Sequence, residues 1–181
     1  MNKKIVVISS TPRINGNSEI LSKEFIKGAK ESGNDATLIS IRDLNLKFCI
    51  GCLYCQSNGK CVLKDDMNNL YNSISEADVL VFATPIYYYG ISGQLKTFLD
   101  RLNPLFNRNN KFKDVYLLCT AAENEQETYE RAVSCLQGWV DCFEGVKIKE
   151  TLFVGDVTAP KEILKKHDGL ERAYNLGLSI K

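Results

Sequence analysis

Asp78-Val79-Leu80-Val81-Phe82-Ala83-Thr84 is the most apolar strand-like run in the chain. Such a run, short and without polar alternation, reads as a strand buried on both faces and therefore central in a parallel sheet. Working outward, residues 4–9 form a second buried run. Residues 36–41 alternate loosely, with Ala36, Leu38 and Ile41 apolar, and read as a strand at or near an edge; residues 114–120 and 146–154 complete five strands. Helical spacing fills the gaps. Ile20, Leu21, Phe25 and Ala29 recur until Gly33 supplies a stop, and Asp65 or Asp66 caps a helix carrying Leu70, Tyr71 and Ile74. Leu95, Phe98, Leu99 and Leu102 share one face of a helix over 94–105, and further helices are expected over 125–143 and 160–178. Strands alternating with helices predict a doubly wound α/β fold: a five-stranded parallel sheet with helices on both faces, because right-handed crossovers cover it.

The 181 residues suit one domain at about 150 residues per domain, and no linker, repeat or low-complexity tract divides residues 1–181. A content of 44% hydrophobic and 25% charged residues excludes disordered and disulfide-scaffold classes. Lys plus Arg (23) nearly balance Asp plus Glu (22), so no overall field recruits nucleic acid or anionic lipid. Ile5 to Ile8 is too short for a signal-peptide core, which makes a cytoplasmic location the expectation. Residues 79–91 come nearest to a membrane span and are broken by Thr84, Pro85 and three tyrosines, so no membrane insertion is expected.

In a doubly wound sheet the ligand lies at the carboxyl ends of the strands, so the loops to read are 9–18, 85–93 and 120–126. Neither G-x-x-x-x-G-K-[ST] nor G-x-G-x-x-G follows the first strand, which removes nucleoside-triphosphatase and dinucleotide readings. Ser9 and Ser10 stand where a receiver domain needs acidic residues, and Glu125 stands where a C-x-x-x-x-x-R phosphatase loop needs Arg. The first loop, Ser9-Ser10-Thr11-Pro12-Arg13-Ile14-Asn15-Gly16-Asn17-Ser18, offers hydroxyls, a guanidinium and a helix start. It reads either as a cradle for a phosphate monoester or as an ordinary N-cap after a turn. The second loop places Tyr87, Tyr88 and Tyr89 where a flat ligand would lie, although half-buried packing accounts for at least one of them. The only histidine, His167, lies on a Lys-rich solvated helix, which leaves His-based acid–base and triad mechanisms without a candidate.

Cys49-x-x-Cys52-x-x-Cys55, then five residues and Cys61, gathers four of the seven cysteines. The tight turn aims three thiols at one point and the return through Gly59 brings in the fourth, the set needed for a single 4Fe-4S cluster. Zinc usually takes well-separated C-x-x-C knuckles, so the spacing favours iron; zinc and a metal-free loop remain the other readings. Lys47, Lys60 and Lys64 would partly offset the charge of a thiolate-bound cluster. Cys119, Cys135 and Cys142 read as core, and Trp139 as core or subunit contact.

S-S-T-P-R-I-N-G-N-S (9–18), C-I-G-C-L-Y-C-Q-S-N-G-K-C-V-L-K-D-D-M (49–67) and A-T-P-I-Y-Y-Y-G-I-S-G-Q-L-K-T-F-L-D-R (83–101) resemble the flavodoxin-like NAD(P)H-dependent FMN reductases, and within them the iron-sulfur flavoproteins. The resemblance implies strand order 2-1-3-4-5 in a single domain with a cysteine-rich loop at about 47–64. It implies FMN held by Ser10, Thr11, Arg13, Asn17 and Ser18 at the phosphate, by Pro85, Ile86, Tyr87, Tyr88, Tyr89 and Gly90 at the isoalloxazine, and by Thr120 and Ala121 in the third loop. That third loop lacks the glycines common in the family. A 4Fe-4S cluster on Cys49, Cys52, Cys55 and Cys61, absent from some aerobic preparations, would pass single electrons to or from FMN. The cofactor carries the redox step, so no side chain is expected as a catalytic acid or base. NAD(P)H or a ferredoxin-type donor, an unspecified acceptor and a homodimer or homotetramer complete the implied reading. A one-electron flavodoxin-like carrier and, more distantly, a non-catalytic flavin- or metal-binding module are its alternatives; the near-zero net charge suits an enzyme better than an acidic carrier.

Overall fold

The computed structural model describes residues 2–181. In chain order the elements are β1 (Lys4–Ser9), α1 (Asn17–Glu31), β2 (Asp35–Ser40), α2 (Tyr54–Asn58), α3 (Tyr71–Ser75), β3 (Val79–Tyr87), β4 (Gly90–Ile91), α4 (Gly93–Arg101), β5 (Asp114–Thr120), α5 (Glu127–Val140), β6 (Lys147–Val154) and α6 (His167–Leu178). The parallel strands run β2-β1-β3-β5-β6, with β3 central and β2 at an edge. Counting only these five, the order is the expected 2-1-3-4-5. The sixth strand, β4, was not expected: β3 runs past Thr84 to Tyr87 and folds back antiparallel onto Gly90 and Ile91.

Alternate residues of each inner strand face opposite layers, because the side-chain period of a strand is two. Ile5 and Val7 of β1 pack with Leu21, Phe25 and Ala29 of α1 and Ala173 and Leu176 of α6. Val6 and Ile8 pack on the other side with Tyr71, Ile74, Leu95, Phe98, Leu136 and Val140 from α3, α4 and α5. Trp139 joins this second layer, its ring stacked on Phe112 and edge-on to Phe82. The helices α1 and α6 cross at contact distance. A Cβ added at Gly28 would run into the backbone of Tyr174 and Leu178, and one added at Gly177 into the backbone of Phe25 and Ala29.

Several boundaries differ from expectation. Expected helix 94–105 ends at Arg101 and passes into a single 3-10 turn at Asn103–Leu105, where Pro104 cannot donate to an α-helical ladder. Expected helix 160–178 begins only at His167; a 3-10 turn at Glu162–Lys165 precedes it, entered through Lys161 in the left-handed region. The helix after Asp65 is split into a 3-10 turn, Asp66–Asn69, and the five-residue α3; Asp65 does act as the cap, accepting from the Met67 amide. Cys142 is exposed, a correction to its reading as core: α5 stops at Val140, and in the turn that follows Phe143 enters the core while the Cys142 thiol faces out. Cys119 is buried in β5, where desolvation pushes its thiol up to about 12.

Candidate functional site

At the carboxyl edge of the sheet, Thr11, Arg13, Asn17, Pro85, Ile86, Tyr87, Thr120, Ala121, Val157 and Thr158 line a cradle of about 160 Å³. Eight of the expected flavin residues thus meet around one hollow. The other five lie differently. Ser10 is fully buried, its hydroxyl donating to the Ala83 carbonyl (3.1 Å) and accepting from Ser92 (2.9 Å), so it joins β1 to β3 and to the cap of α4. Ser18 is buried in the first turn of α1, and its Oγ has no hydrogen-bond partner among the described residues. Tyr88 is fully exposed at the tip of the β3–β4 hairpin, Gly90 pairs with Tyr87, and Tyr89 points its hydroxyl at Glu123 with Arg131 over its ring.

The hairpin turn itself carries strain. Tyr88 and Tyr89 both adopt positive φ (49° and 62°), the geometry of a two-residue type I′ turn in which Asn-Gly is the favoured pair. Two tyrosines in that conformation are backbone outliers beside the cradle.

The start of α1 leaves backbone donors free. Gly16 caps it without a side-chain bond, so the first-turn amides lack partners within the helix, and the dipole favours negative charge there. A Cβ at Gly16 would collide with the Thr11 side chain, which keeps the loop closed over the helix end. Two expected phosphate ligands are already engaged. Asn17 donates to the Ala159 carbonyl (3.0 Å) and accepts from the Ile163 amide (3.2 Å), while the Arg13 guanidinium donates to the Thr158 carbonyl. Both tie the first loop to the segment after β6. That fourth loop escaped the sequence reading, although every parallel strand ends at the same edge and Gly155-Asp156 directly follows Val154. Arg42 was missed too: it donates to the Arg13 carbonyl (2.7 Å) and to Glu19 (2.9 Å). Burial alone would raise the Glu19 pKa, but hydrogen bonds from Lys23 and Arg42 outweigh it and hold the carboxyl below its usual range. Fully ionised and paired on two sides, Glu19 leaves the first turn of α1 little net repulsion toward an anion.

A second hollow forms at the cysteine loop. Cys49, Cys52, Cys55 and Cys61, with Ile50, Leu53, Val62, Leu63 and Asn103, enclose a cavity of about 30 Å³. Gly51 and Leu53 in the left-handed region wind the C-x-x-C-x-x-C turn, and Gly59, also left-handed, ends α2. Among the described residues no three Cys, His, Asp or Glu side chains are gathered closely enough to hold a single metal ion. Two donors from the end of α4 reach the sulfurs: Asn103 Nδ2 lies 3.0 Å from Cys55 Sγ and an Arg101 guanidinium nitrogen lies 3.5 Å from Cys61 Sγ. Phe48, Ile50, Leu53 and Val62 stand exposed around the loop. A further cavity of about 680 Å³ lies against α4, lined also by Ile41, Leu44, Leu46 and Phe48. No helix among the described residues is long and apolar enough to cross a membrane.

The sequence profile of a family described as NADPH-dependent FMN reductase matches residues 3–159. An iron-sulfur flavoprotein of Methanocaldococcus jannaschii is 30% identical over 98% of this chain and 95% of its own length. Another, from Archaeoglobus fulgidus, is 34% identical over 58% of this chain and 48% of its length, so this chain spans about half of that relative. Among solved structures, an NAD(P)H:quinone oxidoreductase from Methanothermobacter marburgensis superposes with a TM-score of 0.78 at 18% identity over 100% of both chains. An FMN-dependent NADH-azoreductase from Bacillus anthracis, solved in complex with FMN, superposes with a TM-score of 0.70 at 15% identity over 98% of both chains. At such identities the two structures speak for the fold.

Proposed function

Because the chain belongs to the NADPH-dependent FMN reductase family, in its iron-sulfur flavoprotein subgroup, and is an FMN-dependent oxidoreductase, we propose that it couples FMN in the cradle to a 4Fe-4S cluster on Cys49, Cys52, Cys55 and Cys61. The observation that carries this reading is the enclosed cavity that all four cysteines line. The C-x-x-C-x-x-C spacing favours iron over zinc, which usually takes well-separated C-x-x-C knuckles. The hollow is narrow, and the 49–53 turn on one side of it is exposed throughout.

FMN supplies two-electron acceptance as hydride and one-electron release, and the cluster one-electron transfer. The chain's residues do the rest. The uncapped α1 terminus and the orphaned Ser18 hydroxyl receive the phosphate, and burial of Ser18 without a partner is the structural sign of a missing acceptor. Arg13 and Asn17 act by holding the fourth loop against the first. Pro85, Ile86 and Tyr87 form one wall of the cradle and Thr120 and Ala121 the other, while Tyr88, Tyr89 and Gly90 shape its rim. The exposed apolar side chains around the cysteine loop support a homo-oligomer in which that loop is covered. A single domain, NAD(P)H or a ferredoxin-type protein as donor, and a cytoplasmic location complete the proposal.

Anaerobic isolation followed by iron, sulfide and flavin analysis tests it. About four irons and one FMN per chain are expected, with iron lost and FMN kept in Cys52→Ala. Zinc in place of iron, or no iron after anaerobic reconstitution, refutes the cluster. Stopped-flow mixing with NADH and NADPH should bleach the flavin; reduction only by a protein donor would favour the one-electron carrier.

A further inference from the structure

Arg101 is the largest side chain in the protein's interior, 1% exposed, and its partner Asp65 is 0% exposed. The guanidinium donates to the Lys47 carbonyl (2.7 Å) and to both carboxylate oxygens of Asp65 (2.8 Å for one of them), so it binds the chain just before and just after the cysteine loop. A purely structural clamp would end there. The same nitrogen that holds one Asp65 oxygen also reaches Cys61 Sγ, turning the positive end of a neutral pair toward that sulfur. Two residues on, Asn103 donates to Cys55 Sγ without any counter-charge. Arg101 closes α4 and Asn103 opens the 3-10 turn after it, with Leu99 and Leu102 beside them in the core. Hydrogen bonds to cluster sulfurs raise a cluster's reduction potential, because the added electron increases the negative charge they face. They act strongly here, since the pair is shielded from water.

We propose that Arg101 and Asn103 are positioning residues that set the cluster's reduction potential through Cys61 and Cys55, holding it above the value four thiolates alone would give. This rests on the cluster reading above. The step concerned is addition of one electron to the cluster, with no bond formed or broken and no proton moved; reduced flavin is the electron donor.

The test is an anaerobic redox titration of the FMN- and iron-loaded protein, followed by EPR, beside iron and sulfide content. Asn103→Leu keeps the ion pair and the side-chain volume but removes one donor; its midpoint should move negative, with Asn103→Gln restoring much of the shift. Arg101→Gln with Asp65→Asn keeps a neutral buried pair while removing the charge, and should move it further negative by about tenfold in the reduced-to-oxidised ratio, about 59 mV for one electron. Asp65→Asn alone leaves the cation unopposed and should move it positive. Wild-type iron content with midpoints unchanged in Asn103→Leu and Asp65→Asn overturns the inference. A failure of the Arg101 double variant to fold leaves these two to decide. Wild-type protein that takes up no iron refutes the cluster itself, a separate result.

Discussion

Replacing Tyr88 isolates the strain in the β3–β4 hairpin, because its side chain is wholly exposed and no contact is lost with it. Its φ of 49° lies in the left-handed region, where an L-residue with an ordinary side chain carries a cost of roughly 1–2 kcal/mol. Asn tolerates this region best after Gly and is favoured at the first central position of a type I′ turn. Tyr88→Asn should therefore stabilise the flavin-free protein by about 1 kcal/mol. For a chain of this size that is about 2–4 °C in Tm. Tyr88→Val, β-branched and ill suited to positive φ, should destabilise it by about the same amount. Surface substitutions away from special features stay within about 0.5 kcal/mol, so opposite shifts at a fully exposed residue would report the backbone alone. Urea unfolding followed by circular dichroism, with FMN removed to eliminate ligand linkage, reads both. If both variants lie within 0.5 kcal/mol of the parent, the turn is not strained and the reasoning fails.

Removing the Ser18 hydroxyl should separate binding from stability: Ser18→Ala relieves an orphaned buried group, leaving the empty protein as stable or up to about 1 kcal/mol more so, while FMN titration shows affinity about tenfold weaker. Gly28→Ala should cost about 1–3 kcal/mol in urea unfolding because the new methyl meets helix backbone that has no rotamer to yield. Asp65→Ala, which leaves the Arg101 cation buried and alone, should cost about 3–5 kcal/mol by the same measurement. The carboxyls of Asp65 and Glu19 are held below their ordinary values: burial raises each, and hydrogen bonds from Arg101, and from Lys23 and Arg42, outweigh it. Their contribution to stability is present above about pH 4 and is lost as pH falls through the lower folded-state values; a stability curve in acid should be shallower for Glu19→Gln.

The sheet was legible because its strands are short apolar runs and a parallel sheet leaves few orders to choose from. Residues 85–87 escaped because Pro85 and the tyrosines read as loop, yet Pro85 is tolerated in β3 where the strand leaves the fully buried layer. The cradle's residue types were legible from the first two loops, but not their division of labour. Asn17 and Arg13 have partners near residue 160, and nothing local to residues 13–17 names a carbonyl that distant. Arg101 was hidden for the same reason, its partner Asp65 being 36 positions away. One sign was available: Arg101 stands three residues after Phe98, on the face that otherwise enters the core.

The bonds from Asn17 to Ala159 and Ile163, together with the close approach of α1 and α6 at Gly28 and Gly177, join segments made far apart in the order of synthesis. A ribosome releases residues 10–18 well before residues 157–163. Only once residues 157–178 have emerged can α6 seat against α1 and the fourth loop close on the first. Until then the first loop is held only by nearer partners, Ala83 and Ser92 on the Ser10 hydroxyl and Arg42 on the Arg13 carbonyl, and lacks its bonds to the fourth. Arg101 and Asp65, both made well before that point, can close the stem of the cysteine loop while the first and fourth loops are still apart.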